Sequence, residues 1–325
     1  MEPNLNSIKA PIESYLNEFD TRFKGAMKTS VALLNLITRY IVSRKGKQIR
    51  PMFVFFSAQL CGGISEKTYR AATLIELLHT ATLVHDDIVD DSNKRRGFFS
   101  VNSLWKNKIA VLVGDFLLSR GMLTALENDD FALLKLVSGS VKEMSEGELL
   151  QLEKARNLDI DEDIYFEIIR KKTATLIASC CACGALSTEA NEETIHKMGQ
   201  FGEAVGIAFQ LKDDLFDYEM YNKTGKPSGI DLKEQKMTLP LIHMLNNMSF
   251  IEKRKVIYTI KNHHENNEKV AAVIEMVNKS QSIEYAKQKM NDYLQKALNI
   301  LFEFPESNSR NSLESLVKFV IERKN

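Results

Sequence analysis

The sequence predicts an all-α protein of many helices, and three observations lead to that prediction. None of the six prolines lies between Pro51 and Pro227, so a long stretch lacks the residue that most strongly breaks helix interiors. Apolar residues recur at helical intervals along 71–91 and again along 201–219. No stretch shows the sustained alternation of a half-buried strand. We therefore expect one helical domain over residues 1–325, although the length alone would allow two.

The composition excludes several classes of function. The 43 basic and 43 acidic residues balance, which argues against a nucleic-acid-binding protein and gives no electrostatic reason for stable attachment to an anionic membrane. The N-terminal residues lack the pattern of a signal peptide. No apolar stretch approaches the roughly 20 residues of a membrane span. We expect a soluble protein in the cytoplasm.

The four cysteines do not form a recognisable metal site. Cys180, Cys181 and Cys183 lie together among small apolar residues, and Cys61 stands apart. A zinc site would need a second pair of Cys or His ligands, which the pattern lacks. We interpret the cysteines as packed, reduced thiols of a reducing compartment.

The first of two acidic clusters, HDDIVDD at residues 85–91, ends the first apolar segment. Each residue of a helix turns by about 100°. Asp86 and Asp90 therefore share one face, with Asp87 beside them and His79 two turns earlier on the same face.

The second acidic cluster, KDDLFD at residues 212–217, repeats this spacing. Asp213 and Asp217 are four residues apart, Asp214 lies beside them, and Gln210 lies one turn earlier. For either cluster alone, a solvated acidic helix end is a serious alternative. Two copies of the same spacing, each after an apolar helix, favour a functional pair.

Cations would compensate these clusters, because like charges four residues apart destabilise a helix. Magnesium is typically held by one or two carboxylates together with waters and substrate phosphates. A calcium loop is disfavoured, since the glycine at its turn and the closing glutamate are missing. Two opposed carboxylate faces could grip a diphosphate through bridging metal ions.

Basic residues near the clusters supply complementary charge. Each segment alone is more typical of an ordinary loop, but arginine forks and lysine charges both bind phosphate oxygens. Together they predict two kinds of diphosphate site, one bridged by metal and one formed mainly by basic side chains. The residues are Lys47 and Arg50 in GKQIRP, Arg95 and Arg96 in NKRRG, Lys172 in KKTATL and Lys226 in GKPSG.

Six blocks in this order resemble the trans-isoprenyl diphosphate synthases, and most of all their medium- and long-chain polyprenyl members. They are GKQIRP, ELLHTATLVHDDIVDDSNKRRG, AVLVGDFLLSR, KKTATL, FQLKDDLFDY and GKPSGIDLKEQKMTLPLI, spread over residues 46–242. The resemblance implies a helical bundle around a deep central cavity, usually a homodimer. It also implies a reaction that joins isopentenyl diphosphate to an allylic diphosphate, with a product that could be delivered to a membrane.

The resemblance also implies roles for individual residues. Three magnesium ions and the allylic diphosphate would be bound by Asp86, Asp90 and Asp213, supported by Asp87, Asp214 and Asp217. The same diphosphate would be contacted by Arg95, Lys172 and Lys226. Isopentenyl diphosphate would be held by Lys47, Arg50, His79 and Arg96. The carbocation would be faced by Thr173 and Gln210, and the isopentenyl group by Phe209.

Product length depends on residues below the first cluster. Thr82 lies one turn before Asp86, with Ala81 as its neighbour. In the family a bulky aromatic here closes the pocket early, so these small residues imply a product of roughly thirty to forty carbons. One departure is that Phe98–Phe99 follows RRG where many relatives carry a proline, which leaves the path of that loop open.

Three alternatives remain from the sequence. A short-chain enzyme would make a farnesyl or geranylgeranyl product, against which Ala81 and Thr82 argue. A terpene cyclase shares the ionisation chemistry but has no need of GKQIRP. A non-catalytic partner subunit of another prenyltransferase would tend to lose aspartates, and both clusters are complete.

Overall fold

The computed structural model describes residues 4–43, 46–95, 97–157, 160–218 and 229–322. Helices dominate these ranges, which confirms the predicted fold class. The first helices are α1 (Leu5–Lys9), α2 (Glu13–Ala26), α3 (Ala32–Ser43), α4 (Ile49–Cys61) and α5 (Glu66–Val89). After a short hairpin follow α6 (Val101–Trp105), α7 (Asn107–Leu126), α8 (Phe131–Asn157), α9 (Glu162–Ile169), α10 (Thr175–Leu186) and α11 (Glu192–Phe216). The last are α12 (Ile230–Lys233), α13 (Leu239–Asn246), α14 (Phe250–His263), α15 (Asn267–Lys279), α16 (Ser282–Phe302) and α17 (Asn308–Glu322).

Two long helices, α5 and α11, organise the bundle. Helix α5 packs along α7 and against α4, whereas α11 packs between α10 and α16. Helix α4 in turn packs against α10 and the C-terminal α17. The two segments in which the sequence showed helical apolar spacing therefore form the central helices.

Three groups of buried side chains hold the helices together. The largest includes Phe53, Phe55 and Phe201 and joins α4, α5, α10 and α11. The second joins α11 to α9 and to the helices that follow α11, and the third joins α5 to α7. Met290 and Tyr293 of α16 pack against both the first and the second group. Burial of apolar surface thus continues from the N-terminal helices into the C-terminal third.

Helix α7 corrects one sequence expectation. Its 20 residues, Asn107–Leu126, are long and apolar enough to cross a membrane by length and composition, with a mean hydropathy of 1.7. Asp115 and Arg120 lie within this run. In the bundle α7 lies against α5, where Gly121 lets the backbone approach Leu74 and Leu78.

The segment after the first acidic cluster forms a two-stranded antiparallel hairpin. Strand β1 (Lys94–Arg95) pairs with β2 (Phe98–Phe99). The turn passes through Gly97, whose φ of 80° suits glycine because it lacks a Cβ. The hydroxyl of Tyr40 on α3 donates a 2.6 Å hydrogen bond to the Phe99 carbonyl. The hairpin therefore establishes the path that the missing proline had left open.

Candidate active site

Both acidic clusters lie at the C-terminal ends of central helices, as the sequence predicted. Asp86 belongs to the last turn of α5, and Asp90 caps that helix. Asp213 belongs to the last turn of α11, and Asp217 caps it. A helix C-terminus carries partial negative charge, so carboxylates there are electrostatically unfavourable. Bound cations would therefore stabilise both clusters.

Within the second cluster, Asp214 is the centre of a buried hydrogen-bonded chain. Its Oδ2 accepts a 2.6 Å bond from the Tyr165 hydroxyl, and its Oδ1 accepts a 2.8 Å bond from Nε2 of Gln210. The other end of the Gln210 amide accepts a 2.8 Å bond from the Thr173 hydroxyl. Thr173 and Gln210, predicted to act together, are therefore linked directly to the cluster.

Burial governs the protonation of this chain. It raises the pKa of Asp214, and the nearby Asp231 carboxylate raises it further, while the bonds from Tyr165 and Gln210 lower it. Burial also raises the pKa of Tyr165 well above its ordinary value. Tyr165 is therefore a neutral donor, and its bond favours the charged form of the carboxylate. Burial and Asp231 outweigh that effect, so the pKa of Asp214 stays raised.

Asp217 binds backbone groups at the start of α12. Its Oδ1 accepts from the N–H of Ile230 at 2.8 Å, and its Oδ2 accepts from the N–H of Asp231 at 3.1 Å. Burial raises the pKa of Asp217, and these backbone donors lower it. Asp214 and Asp217 therefore have protein partners on both oxygens, and Asp213 is half-buried beside them.

The pKa of Lys236 is affected by acidic residues near both clusters. Burial opposes its charge, but a hydrogen bond to Glu234 and the charges of Glu234, Asp231 and Asp90 outweigh burial and raise the pKa of its amine. Asp90 belongs to the first cluster, and Asp231 follows the second. The pKa of the Lys236 amine therefore responds to a carboxylate of the first cluster and to one that follows the second.

A cavity of about 880 Å³ opens beside the first cluster. Five predicted site residues line it: Lys47, Arg50, His79, Asp87 and Phe209. Its volume lies within the roughly 300–1,000 Å³ typical of small-molecule sites. The structure therefore brings together described residues that the sequence assigned to the isopentenyl side, although they come from three separate segments.

The basic side chains of this cavity have protein partners. Arg50 Nε lies 3.2 Å from Oε2 of Glu76, another lining residue. The Lys47 amine lies 5.5 Å from the ring centroid of Phe319 on α17. Both pairs are partly exposed, so an anion with several oxygens could compete for these cations at modest cost.

Lys172 and Thr173 lie on a π-helical turn, Arg170–Ala174, between α9 and α10. The Lys172 amine lies 2.5 Å from Oε2 of Glu148 and 3.4 Å from the Gln151 side chain, both on α8. Single π-helical turns are frequent at functional sites. This turn rotates Thr173 toward Gln210 on α11 and Lys172 toward α8.

The predicted chain-length residues lie elsewhere on α5. Ala81 is 1% exposed and belongs to the buried group shared with α7. Thr82 is half-buried, and its hydroxyl donates a 2.9 Å bond to the His79 carbonyl. Neither is among the described residues that line the 880 Å³ cavity.

Three predicted contacts of the basic set fall outside the described structure. Arg96 and Lys226 lie outside the described residues. Arg95 forms part of β1 by its backbone, but its side chain also lies outside what is described.

Sequence reasoning missed Tyr165, Glu148 and Lys236. Tyr165 lies 49 residues before its partner Asp214, and only the packing of α9 on α11 brings them together. Glu148 is one of many acidic residues on α8. Lys236 stands in the recognised block after the second cluster, and it could have been noticed as a further phosphate-binding cation.

Comparison with known proteins fits this geometry. The sequence profile of the polyprenyl synthetase family matches residues 31–277, which include both clusters and the basic segments between them. The chain belongs to the polyprenyl synthetase family. The family suggested by the sequence blocks is thereby confirmed, and this polyprenyl synthetase is a prenyltransferase.

Relatives of this polyprenyl synthetase differ in the product that they are named for. The all-trans-nonaprenyl-diphosphate synthase (geranyl-diphosphate specific) of Rhodobacter capsulatus is 35% identical over 318 residues, covering 97% of each chain. The geranylgeranyl diphosphate synthase of Saccharolobus solfataricus is 31% identical over 319 residues, covering 95% and 96%. The polyprenyl synthase from Caulobacter crescentus CB15, complexed with calcium and isoprenyl diphosphate, superposes with a TM-score of 0.91 at 29% identity, covering 100% of this chain and 99% of that one.

Proposed function

We propose that the chain is an all-trans polyprenyl diphosphate synthase, which adds isopentenyl diphosphate repeatedly to an allylic diphosphate. The observation that carries this proposal is the carboxylate-rich ends of α5 and α11, the two helices that contribute Asp87 and Phe209 to the wall of a cavity. The same cavity is lined by Lys47, Arg50 and His79. Negative helix ends suit metal-bridged diphosphate, and the basic wall suits a second diphosphate that stays attached.

The donor set suits magnesium. Within the described ranges, no three acidic, histidine or cysteine side chains converge into a complete metal site. Magnesium is usually bound by one or two carboxylates, which paired aspartates of each cluster could supply, together with waters and substrate phosphates. Asp86, Asp90 and Asp213 would hold the ions, three as the resemblance implies, and the calcium in the Caulobacter complex is consistent with a divalent cation. When bound, magnesium would neutralise the diphosphate and make it a better leaving group.

The protein's own residues account for the remaining steps. Lys172 would move from Glu148 to the departing diphosphate and stabilise its charge, together with Arg95 and Lys226. Thr173 and Gln210 would turn their dipoles toward the allylic carbocation without attacking it.

Condensation then depends on holding the second substrate in a dry place. The Arg50 fork, with Lys47 and His79, would fix the diphosphate of isopentenyl diphosphate, while Arg96 would reach it from beyond the first cluster. Phe209 and its apolar neighbour Val205 on the cavity wall would exclude the water that captures carbocations. The double bond attacks the cation to form the new carbon–carbon bond, and the resulting cation would lose a proton to the departing pyrophosphate.

The product we propose has roughly thirty to forty carbons, since Thr82, half-buried one turn before Asp86, is not the bulky aromatic residue that would close a pocket there. The purified protein should be incubated with magnesium, farnesyl diphosphate and excess labelled isopentenyl diphosphate, and the products analysed by chromatography after dephosphorylation. We expect chains longer than twenty carbons. Arrest at twenty would favour the short-chain alternative, and no elongation without a second protein would favour the subunit alternative.

The same assay should include two matched variants. Asp213→Asn removes a charge from the second cluster and should reduce turnover by at least a thousandfold. Asp129→Asn makes the same exchange in an exposed turn at a φ of 54°, which asparagine tolerates, and should leave turnover unchanged. Equal activities would contradict the assignment of the cluster.

We further propose a homodimer that joins through the outer faces of α7 and α8. Leu112 on α7 is 63% exposed and Leu149 on α8 is 67% exposed, and large apolar side chains on adjacent packed helices are typical of interfaces. Sedimentation at micromolar concentration should give twice the 37.0 kDa of the chain. A species of single-chain mass would contradict it.

The domain and location proposals rest on simpler grounds. The buried groups meet at α16, so we propose one domain over residues 1–325. The cysteines are free thiols, three of them buried, which is consistent with the proposed cytoplasmic location.

A further inference from the structure

Helix α14 has an outward face that carries both apolar and basic residues. Three large side chains on it are strongly exposed: Phe250 (73%), Ile251 (66%) and Tyr258 (60%). At about 100° per residue they fall within an arc of about 140° that also holds three basic residues. These are Arg254, Lys255 and Lys261, all of which are exposed.

The opposite face of α14 is buried. Val256 and Ile260 belong to the second buried group, and α14 packs against α15. The exposed aromatic and aliphatic side chains therefore do not support the core of the protein. Exposing three such neighbours to water is unfavourable, because each leaves apolar surface uncovered.

The outward face of α14, which is described throughout, carries no acidic side chain. Glu252, the acidic residue of this helix, lies about 200° around from Phe250. Its carboxylate accepts hydrogen bonds from the Ser249 N–H and hydroxyl and so caps the helix N-terminus. The face is locally cationic, although the whole chain has no net charge.

We propose that this face docks α14 on an anionic lipid bilayer. Charge complementarity selects the partner: apolar and aromatic side chains enter the interface between headgroups and acyl chains, while arginine and lysine contact anionic headgroups. A protein partner with both acidic and basic side chains on its surface would complement the three positive charges of Arg254, Lys255 and Lys261 less well than anionic headgroups do. Tyrosine suits the same boundary, because its ring is apolar and its hydroxyl is polar.

The position of α14 relates it to the second acidic cluster. Asn278 of α15 donates a 3.0 Å bond to the carbonyl of Tyr218, the residue after Asp217. Val270 and Ile274 of α15 lie against Gly229, so closely that a Cβ there would come within 3 Å of them. One helix therefore separates the docking face from the segment that follows the cluster. A bilayer docked here would lie near the site that releases a lipid product. This link to the product rests on the proposed function, whereas the docking of α14 does not.

The test measures binding of the full chain to vesicles without substrate. Co-sedimentation should be compared for phosphatidylcholine vesicles with and without roughly one third phosphatidylglycerol, at about 0.1 M salt. The wild type should bind the anionic vesicles only. The variant R254E/K255E/K261E should lose about a hundredfold or more in partitioning, since each basic residue near an anionic surface contributes about a factor of five. The variant F250S/I251S/Y258S tests the apolar contribution and should also lose binding.

A matched control makes the same change in net charge elsewhere. Lys279, Lys287 and Lys296 are exposed on α15 and α16, and K279E/K287E/K296E should retain vesicle binding. Thermal melting should show that all variants fold, and turnover in detergent should equal that of the wild type. Activity therefore tests the proposed function separately.

Three results would overturn the proposal. The first is equal binding by the two charge-reversed variants. The second is equal binding of the wild type to neutral and anionic vesicles. The third is a lower oligomeric mass for the F250S/I251S/Y258S variant than for the wild type, because the face would then be a contact between copies of the chain.

Discussion

The hydroxyl of Tyr165 donates a 2.6 Å hydrogen bond to Oδ2 of Asp214, and both groups are buried. Through the other oxygen of Asp214 the contact extends to Gln210 and then to Thr173. A side chain from α9 thus positions the two polar groups that we assign to the carbocation. Buried polar networks of this kind rigidify a site when every member is satisfied.

The first prediction is that Tyr165→Phe lowers kcat about tenfold or more, because Asp214 loses a donor and no longer holds Gln210 in one orientation. The KM for isopentenyl diphosphate should change by no more than about twofold, since Lys47, Arg50 and His79 lie in a different part of the site. Steady-state kinetics at saturating magnesium would measure both.

Tyr285→Phe is the control for that variant. The Tyr285 hydroxyl lies 2.7 and 2.8 Å from the two carboxylate oxygens of Glu162, to which it donates its single hydrogen. Glu162 lies on the same helix as Tyr165. Tyr285→Phe should cost comparable stability, about 1 kcal/mol, and leave kcat unchanged. If both variants reduced kcat equally, Tyr165 would act through the stability of α9 and not through Asp214.

The sequence predicted the central helices and the acidic clusters because both depend on local spacing. Asp86 and Asp213 sit in the expected last turns of α5 and α11, and the cavity gathers Lys47, Arg50, His79 and Phe209. Tyr165 escaped prediction because it joins the site by packing across 49 residues.

Local spacing along α5 also could not predict which neighbouring helix its side chains contact. Ala81 lies before the first cluster on α5, as expected, and its side chain joins the apolar group shared with α7. A helical wheel gives the relative directions of side chains and not which neighbouring helix each one meets.

The second prediction concerns the cysteines. Burial raises the pKa of Cys61 to about 11 and that of Cys180 to about 12, and it raises those of Cys181 and Cys183 well above the ordinary range. Since the thiolate is the reactive form, iodoacetamide at pH 8 should modify the folded protein at least a hundredfold more slowly than the unfolded chain. Raising the pH by one unit should speed the reaction of Cys61 about tenfold.

Mass spectrometry of peptides from folded and guanidinium-unfolded samples would measure this labelling. Rapid modification of Cys180, Cys181 or Cys183 in the folded state would show that α10 opens, and it would contradict the packing described here.

The third prediction follows from two glycines that flank the π-helical turn. A Cβ on Gly147 of α8 would lie 2.8 Å from the Lys171 Cβ and 2.9 Å from the Lys172 backbone nitrogen. A Cβ on Gly206 of α11 would lie 2.5 Å from the Ala174 Cα. Backbone atoms cannot rotate away, so alanine at either position must displace the turn that carries Lys172 and Thr173.

Gly147→Ala should therefore lower kcat on the order of a hundredfold, because a shift of about 1 Å in a catalytic group can have that effect. It should also cost about 1–3 kcal/mol of stability through overpacking. Gly139→Ala on the same helix meets no atom within 4 Å and should be neutral or stabilising by up to about 1 kcal/mol. Steady-state kinetics and thermal melting of both variants would measure these effects. A fully active Gly147→Ala protein would show that the close contact between Gly147 and the π-helical turn does not position Lys172 and Thr173.

The last prediction addresses product length, and the structure indicates which residue to change. Phenylalanine at Ala81 would enter a position that is 1% exposed between α5 and α7. It should destabilise the protein by about 1–3 kcal/mol, so a shorter product would be difficult to interpret.

Thr82 is half-buried, one turn before Asp86, and gives a clearer test. Thr82→Phe should shorten the product with turnover of the first condensation kept within about threefold, whereas the nearly isosteric Thr82→Val should leave product length unchanged. Chromatography of dephosphorylated products would measure both. If Thr82→Phe made chains of wild-type length, the growing chain would follow a path that does not pass the Asp86 face of α5.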